Sequence, residues 1–172
     1  QPLYIQNQIQ LVETLVSLGI EPNQECMNKA TLYGRVELVT FFATFGLLAD
    51  KNHFRSAISK ISCSLKSTQD YYKKIIQCLL LNGYKLSVSD VYFIIYNYVP
   101  LVTIMKNIMT TTKMLEYACY VGSKDIQYII SQGAKVTQQC LYNLTLAKHK
   151  EKGCVDILFN NGAVADEKYV YL

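Results

Sequence analysis

The chain is 172 residues long, 51% hydrophobic and 17% charged, with 17 Lys and Arg against 13 Asp and Glu for a formal net charge of +4. That length and apolar content suffice for a packed core and exclude a disordered tail, while a small charge scattered along the chain excludes strong long-range attraction to a polyanion. Six cysteines without a CxxC pair exclude a zinc ribbon or a thioredoxin-type motif, and point to reduced thiols in an intracellular, cytoplasmic setting, the nucleus remaining open.

The predicted elements in chain order begin with a helix over residues 9–18, where Leu11, Val12 and Leu15 share one face and Gly19 ends the pattern. A pair over 24–33 and 36–45 follows, its second member carrying Leu38, Val39 and Phe42 and closing at Gly46. The next pair covers 51–60 and 70–82 and closes at Gly83, with residues 61–71, rich in Ser and Thr, read as an insertion in the turn between its helices. Helices over 88–97 and 100–109 come next, the second being the one copy of the phrase that ends on methionine, Met109, instead of glycine, so that irregularity is expected there. Pairs over 112–121 with 124–132 and 138–149 with 153–161 close at Gly133 and Gly162. Glycine just past the last periodic residue supplies the left-handed C-cap that ends each helix. Small residues recur in the first helices at Ala30, Ala118 and Ala147, and Gly34 and Gly122 lie four residues after the first two. The remaining glycine, Gly153, opens the last helix.

Alanine, three residues, glycine and an apolar helix ending in glycine together resemble the ankyrin repeat. The clearest copies are residues 30–46 and 118–134, and the resemblance runs over essentially the whole chain. Two departures stand out. The family's Thr-Pro-Leu-His opening is replaced by Glu25-Cys26-Met27-Asn28 in one copy and Lys113-Met114-Leu115-Glu116 in another. The links from Gly19 to Ala30, Gly46 to Ala57 and Gly83 to Ile94 are also shorter than an ordinary repeat of about 33 residues allows. The resemblance implies an all-α solenoid of about five or six antiparallel helix pairs, forming a single domain over 1–172 with shortened or absent β-hairpin fingers. Repeat ends are expected near 19, 46, 83, 109, 133 and 162, and both termini fall inside repeats, as in a fragment of a longer protein. Abbreviated repeats of this kind are similar to those of ankyrin proteins from large DNA viruses and other intracellular parasites. By that resemblance the chain is expected to be a protein-protein interaction module, a viral or pathogen factor acting on host proteins.

Chemistry is sparse in the sequence. His53 and His149 lie in different repeats, no carboxylate pair stands out, and every glycine is occupied by a helix end, which leaves none for a phosphate loop. No enzyme activity, cofactor or metal is expected. Residues 91–105, the longest uncharged stretch, are interrupted by Asn97 and Pro100 and are too short for a membrane-spanning helix.

Tyrosine is the residue type in excess, at 14 against six Phe and no Trp. In an ankyrin-like pair the first helix lines the concave side, and its outward positions are Lys29, Leu32 and Tyr33, then Ser56, Ser59 and Lys60. They continue with Phe93, Tyr96 and Asn97, with Tyr117 and Tyr120, and with Leu146, His149 and Lys150. Tyr33, Tyr96, Tyr117 and Tyr120 then form a row suited to docking another protein, with Lys29, Lys60, His149 and Lys150 at its margins. Two other readings stay open for these side chains. The rings could pack between neighbouring first helices, and the lysines could serve nucleic-acid binding or merely solvate a structural spacer.

Overall fold

The computed structural model describes residues 3–104, 110–149 and 152–165. The fold is all-α, with eleven helices and no strand among the described residues. Contacts divide the chain into two units, Gln1–Leu86 and Ser87–Leu172.

The first unit holds α1 (Leu3–Ser17), α2 (Gln24–Leu32), α3 (Val36–Thr44), α4 (Lys51–Cys63) and α5 (Lys66–Leu81). Local chemistry starts two of them. The Asn23 side chain accepts from the Cys26 amide at 3.2 Å, and the Asp50 carboxylate accepts from Asn52 and His53 amides at 2.8 and 3.0 Å. Helix α2 packs on α3 and α4, and α4 on α5. Met27, Val39, Phe54, Ile58, Ile75, Ile76 and Leu79 are completely buried between them, each contributing roughly 1.5–3 kcal/mol of transfer free energy. Phe54 also stacks on Tyr84 with ring centroids 5.0 Å apart.

The second unit holds α6 (Val88–Tyr96), α7 (Leu101–Ile104), α8 (Thr112–Val121), α9 (Ile126–Ser131), α10 (Gln138–Leu146) and α11 (Cys154–Asn160). Helix α8 is its centre, packed against α6, α9 and α10, so Leu115, Ala118 and Cys119 are completely buried. Asp125 joins two elements in that interior: its Oδ1 accepts from the Leu101 amide at the start of α7 (2.9 Å) and its Oδ2 from the Ser123 hydroxyl (3.1 Å).

Helix ends repeat one device. At Gly34 the glycine amide donates to Thr31 O and the next amide, of Arg35, to Ala30 O; Gly19, Gly83, Gly122, Gly133 and Gly162 repeat the pair of bonds. This is the Schellman ending, and the glycine in it has positive φ. Helix α6 ends the same way without a glycine. Tyr98 N donates to Ile95 O and Val99 N to Ile94 O, with Tyr98 at φ +55° in the position four after Ile94. The place that glycine takes at the ends of α2 and α8 is held at the end of α6 by a left-handed tyrosine.

Four helix boundaries differ from the sequence reading by three residues or more. Helix α1 begins at Leu3 instead of residue 9, because nothing between Leu3 and Gln8 breaks a helix. The stretch 61–71 is not a loop. Helix α4 continues to Cys63 and α5 starts at Lys66, because Ile61 extends the buried face of Ala57 and Ile58 and because the Tyr72 ring is buried with its hydroxyl donating to Leu32 O at 3.1 Å. Only Ser64, which is extended, and Leu65 separate the two helices. Helix α10 stops at Leu146 instead of 149, since Ala147 is extended and the chain then crosses Gly122, where the His149 carbonyl stands in the place a Cβ would need. The irregularity expected at Met109 lies outside the described residues.

Candidate functional site

Four tyrosines of the second unit lie on α6 and α8. Tyr92 and Tyr96 are one helical turn apart on α6, and Tyr117 and Tyr120 one turn apart on α8. Tyr92 and Tyr117 meet edge to face, with centroids 4.9 Å apart and planes at 85°. Burial pushes the Tyr117 hydroxyl above the ordinary tyrosine range, and the neighbouring Tyr96, Tyr120, Tyr92 and Tyr98 push it further in the same direction. Tyr98 closes the group from the loop after α6, its hydroxyl donating to the Val121 carbonyl at 2.9 Å. That bond satisfies one of the carbonyls a helix C-terminus leaves open.

Exposure separates the members. Tyr96 and Tyr120 are 62% and 54% exposed, so each presents a ring face and a hydroxyl outward. Tyr117 is half-buried against Tyr92, which fits the packing alternative for that ring and leaves Tyr96 and Tyr120 as the outward pair. Tyr92 and Tyr98 were missed in the sequence, which assigned the outward positions of α6 to Phe93, Tyr96 and Asn97. The four-residue step from Tyr92 to Tyr96 was the available signal.

Tyr33 belongs to the first unit. It is 65% exposed at the end of α2 and walls an open groove of about 560 Å³ whose apolar side includes Ala30, Leu38 and Phe42. Lys29 lines the same groove and pairs with Glu25 at 3.3 Å. The Glu25 carboxyl is held below its ordinary value first by a hydrogen bond from Asn28 and then by Lys29. Lys60 lies elsewhere in this unit, on α4, half-buried beside Ser56 and Ser59. His149 is exposed beyond the end of α10, in the second unit. Lys150 lies outside the described residues.

Among the described residues, no group of three or more His, Cys, Asp or Glu is placed to hold a metal ion, and no helix is long and apolar enough to cross a membrane. None of the six cysteines is in a disulfide; Cys78, Cys119, Cys140 and Cys154 are buried, and Cys63 is exposed. His53 is buried and committed to structure, contacting Asp50 Oδ1 at 2.6 Å through Nδ1 and the Gln24 amide at 3.3 Å through Nε2. No family model, curated protein or solved structure matches this chain.

Proposed function

We propose that this chain is a non-enzymatic docking module, an ankyrin-like solenoid of abbreviated helix pairs that holds another protein on the concave face lined by its first helices. The observation that carries the reading is the outward tyrosine pair, Tyr96 and Tyr120, seated around a half-buried Tyr117. A tyrosine offers a large apolar face and a hydroxyl at the cost of freezing few torsions, which is why this residue concentrates at interface hot spots. Each ring has only two side-chain torsions to freeze, which keeps the entropic cost of binding low.

Tyr33 and Lys29 supply a second contact region on the first unit, and the mechanism is occupancy: recruiting a partner or blocking it. Abbreviation of the repeats supports a viral or other pathogen factor that acts on host proteins in the cytoplasm. The test is affinity capture from cells with wild-type chain and with Tyr33, Tyr96 and Tyr120 all changed to alanine, followed by titration of the captured partner with both proteins. Loss of about 2 kcal/mol or more of binding is expected, roughly thirtyfold in affinity, with an unchanged helical circular-dichroism melt because the three rings are exposed. Unchanged affinity in the triple variant overturns the tyrosine reading.

A further inference from the structure

Helices α8 and α10 pack together in the second unit, and each carries a completely buried cysteine, Cys119 on α8 and Cys140 on α10. Two hydrogen bonds hold the helices in register around them. The Asn143 carboxamide donates to the Glu116 carbonyl at 2.8 Å, and the Thr137 hydroxyl to the Glu116 carboxylate at 3.1 Å. Glu116 lies three residues before Cys119, while Thr137 and Asn143 lie three residues to either side of Cys140, so these bonds flank the thiols. Within that frame the Cys119 thiol donates a hydrogen bond to the Cys140 sulfur. The Thr137 hydroxyl stands 3.5 Å from the same sulfur. The bond from Cys119 is the largest influence holding the Cys140 thiol below its ordinary range, with Thr137 adding to it against the effect of burial. The same bond, with burial, pushes the Cys119 thiol up. One sulfur is thus prepared as a thiolate and the other keeps its proton.

We infer that Cys119 and Cys140 form a redox pair that hydrogen peroxide closes into a disulfide, joining α8 covalently to α10. The Cys140 thiolate attacks one peroxide oxygen and the O–O bond breaks. Cys140 becomes a sulfenic acid, and the departing hydroxide takes up the proton Cys140 had released, giving water. The Cys119 sulfur then attacks the Cys140 sulfur, the S–O bond breaks, and the second hydroxide leaves as water with the Cys119 proton. Two thiols are oxidised to one disulfide while one peroxide is reduced to two waters. Burial alone would leave both thiols inert, but the thiolate is the reactive form and hydrogen bonds supply it at Cys140. Cys140 also sits in the first turn of α10, beside the exposed Gln138 and Gln139, and helix ends are where local opening takes least free energy. Opening of that turn admits peroxide, a molecule little larger than water. The pair operates whether or not the tyrosines dock a partner.

The experiment treats the native full chain with a small excess of hydrogen peroxide, blocks the remaining thiols with iodoacetamide in denaturant, and maps peptides by mass spectrometry without reduction. A linked peptide containing Cys119 and Cys140, two hydrogens lighter than the sum of its parts and separated by dithiothreitol, is expected. Dimedone added with peroxide should label Cys140 in Cys119→Ala, where no second thiol resolves the sulfenic acid, and should leave Cys119 unlabelled in Cys140→Ala. The wild-type map needs no variant to fold. Peroxide that oxidises the exposed Cys63 while Cys119 and Cys140 are both recovered alkylated overturns the pair. So does a link from Cys119 to Cys154, the buried thiol that also bears on it, or a Cys119 to Cys140 link that forms only after denaturation. Dimedone on Cys119 in Cys140→Ala, with Cys140 unlabelled in Cys119→Ala, overturns the assignment of the attacking sulfur.

Discussion

Tyr98 shows how one residue position can carry two opposed terms. At φ +55° it ends α6 as Gly34 ends α2 and Gly122 ends α8, and a non-glycine residue there costs roughly 1–2 kcal/mol. Its hydroxyl bond to Val121 O offsets about 1 kcal/mol of that. Tyr98→Phe should therefore destabilise the fold by about 1 kcal/mol in urea denaturation, and Tyr98→Gly should be no worse than Tyr98→Phe because it relieves the backbone. A phenylalanine variant as stable as wild type would remove the hydroxyl from the account. Asp125 carries a pH signature. Burial raises its carboxyl above the ordinary carboxylate value, against the lowering effect of the Leu101 amide and the Ser123 hydroxyl. The folded chain then holds a proton there at pH values where the unfolded chain has released it, so this contribution to stability falls as pH rises from the unfolded value through the folded one. Denaturation of wild type and Asp125→Asn across that acidic window should show wild type gaining on the variant as pH drops. A constant difference would mean the carboxyl keeps its ordinary value.

At the scale of elements, most helix boundaries were legible because local chemistry sets them: Asn23 and Asp50 start helices, and glycines end them through bonds made within a few residues. Residues 61–71 were not legible. Their Ser and Thr content reads as a turn, yet burial of Ile61 on one side and Tyr72 on the other draws both helices inward until only Ser64 and Leu65 remain between them. Packing of α4 on α5 overrides propensity, as tertiary context commonly does. Ile61→Ala should accordingly cost about 2–4 kcal/mol, whereas Leu65→Ala, on an exposed side chain, should stay within about 0.5 kcal/mol. Equal small effects by chemical denaturation would return the segment to the status of a loop. The end of α10 escaped the sequence for a similar reason. The chain leaves the helix at Ala147 to cross Gly122, a residue far away in sequence.

For the whole molecule, a net charge of +4 makes binding through tyrosine faces weakly dependent on salt. Partner affinity should change little between low and physiological ionic strength, whereas a fall of about 10³ over that range would indicate phosphate contacts and a nucleic-acid ligand. The all-α class and the periodic helix ends were determined by the sequence alone, because a helix face and its glycine cap are written in residues three to five apart. Tyr33, Tyr96 and Tyr120 are exposed, as the resemblance to ankyrin helix pairs implied. Only the tertiary structure decided that Tyr92 and Tyr98 join Tyr117 and that Tyr117 turns half inward. Those arrangements depend on which helix faces meet. Periodicity fixes where a side chain points around its own helix, whereas the neighbour it meets is chosen by packing between segments distant in sequence.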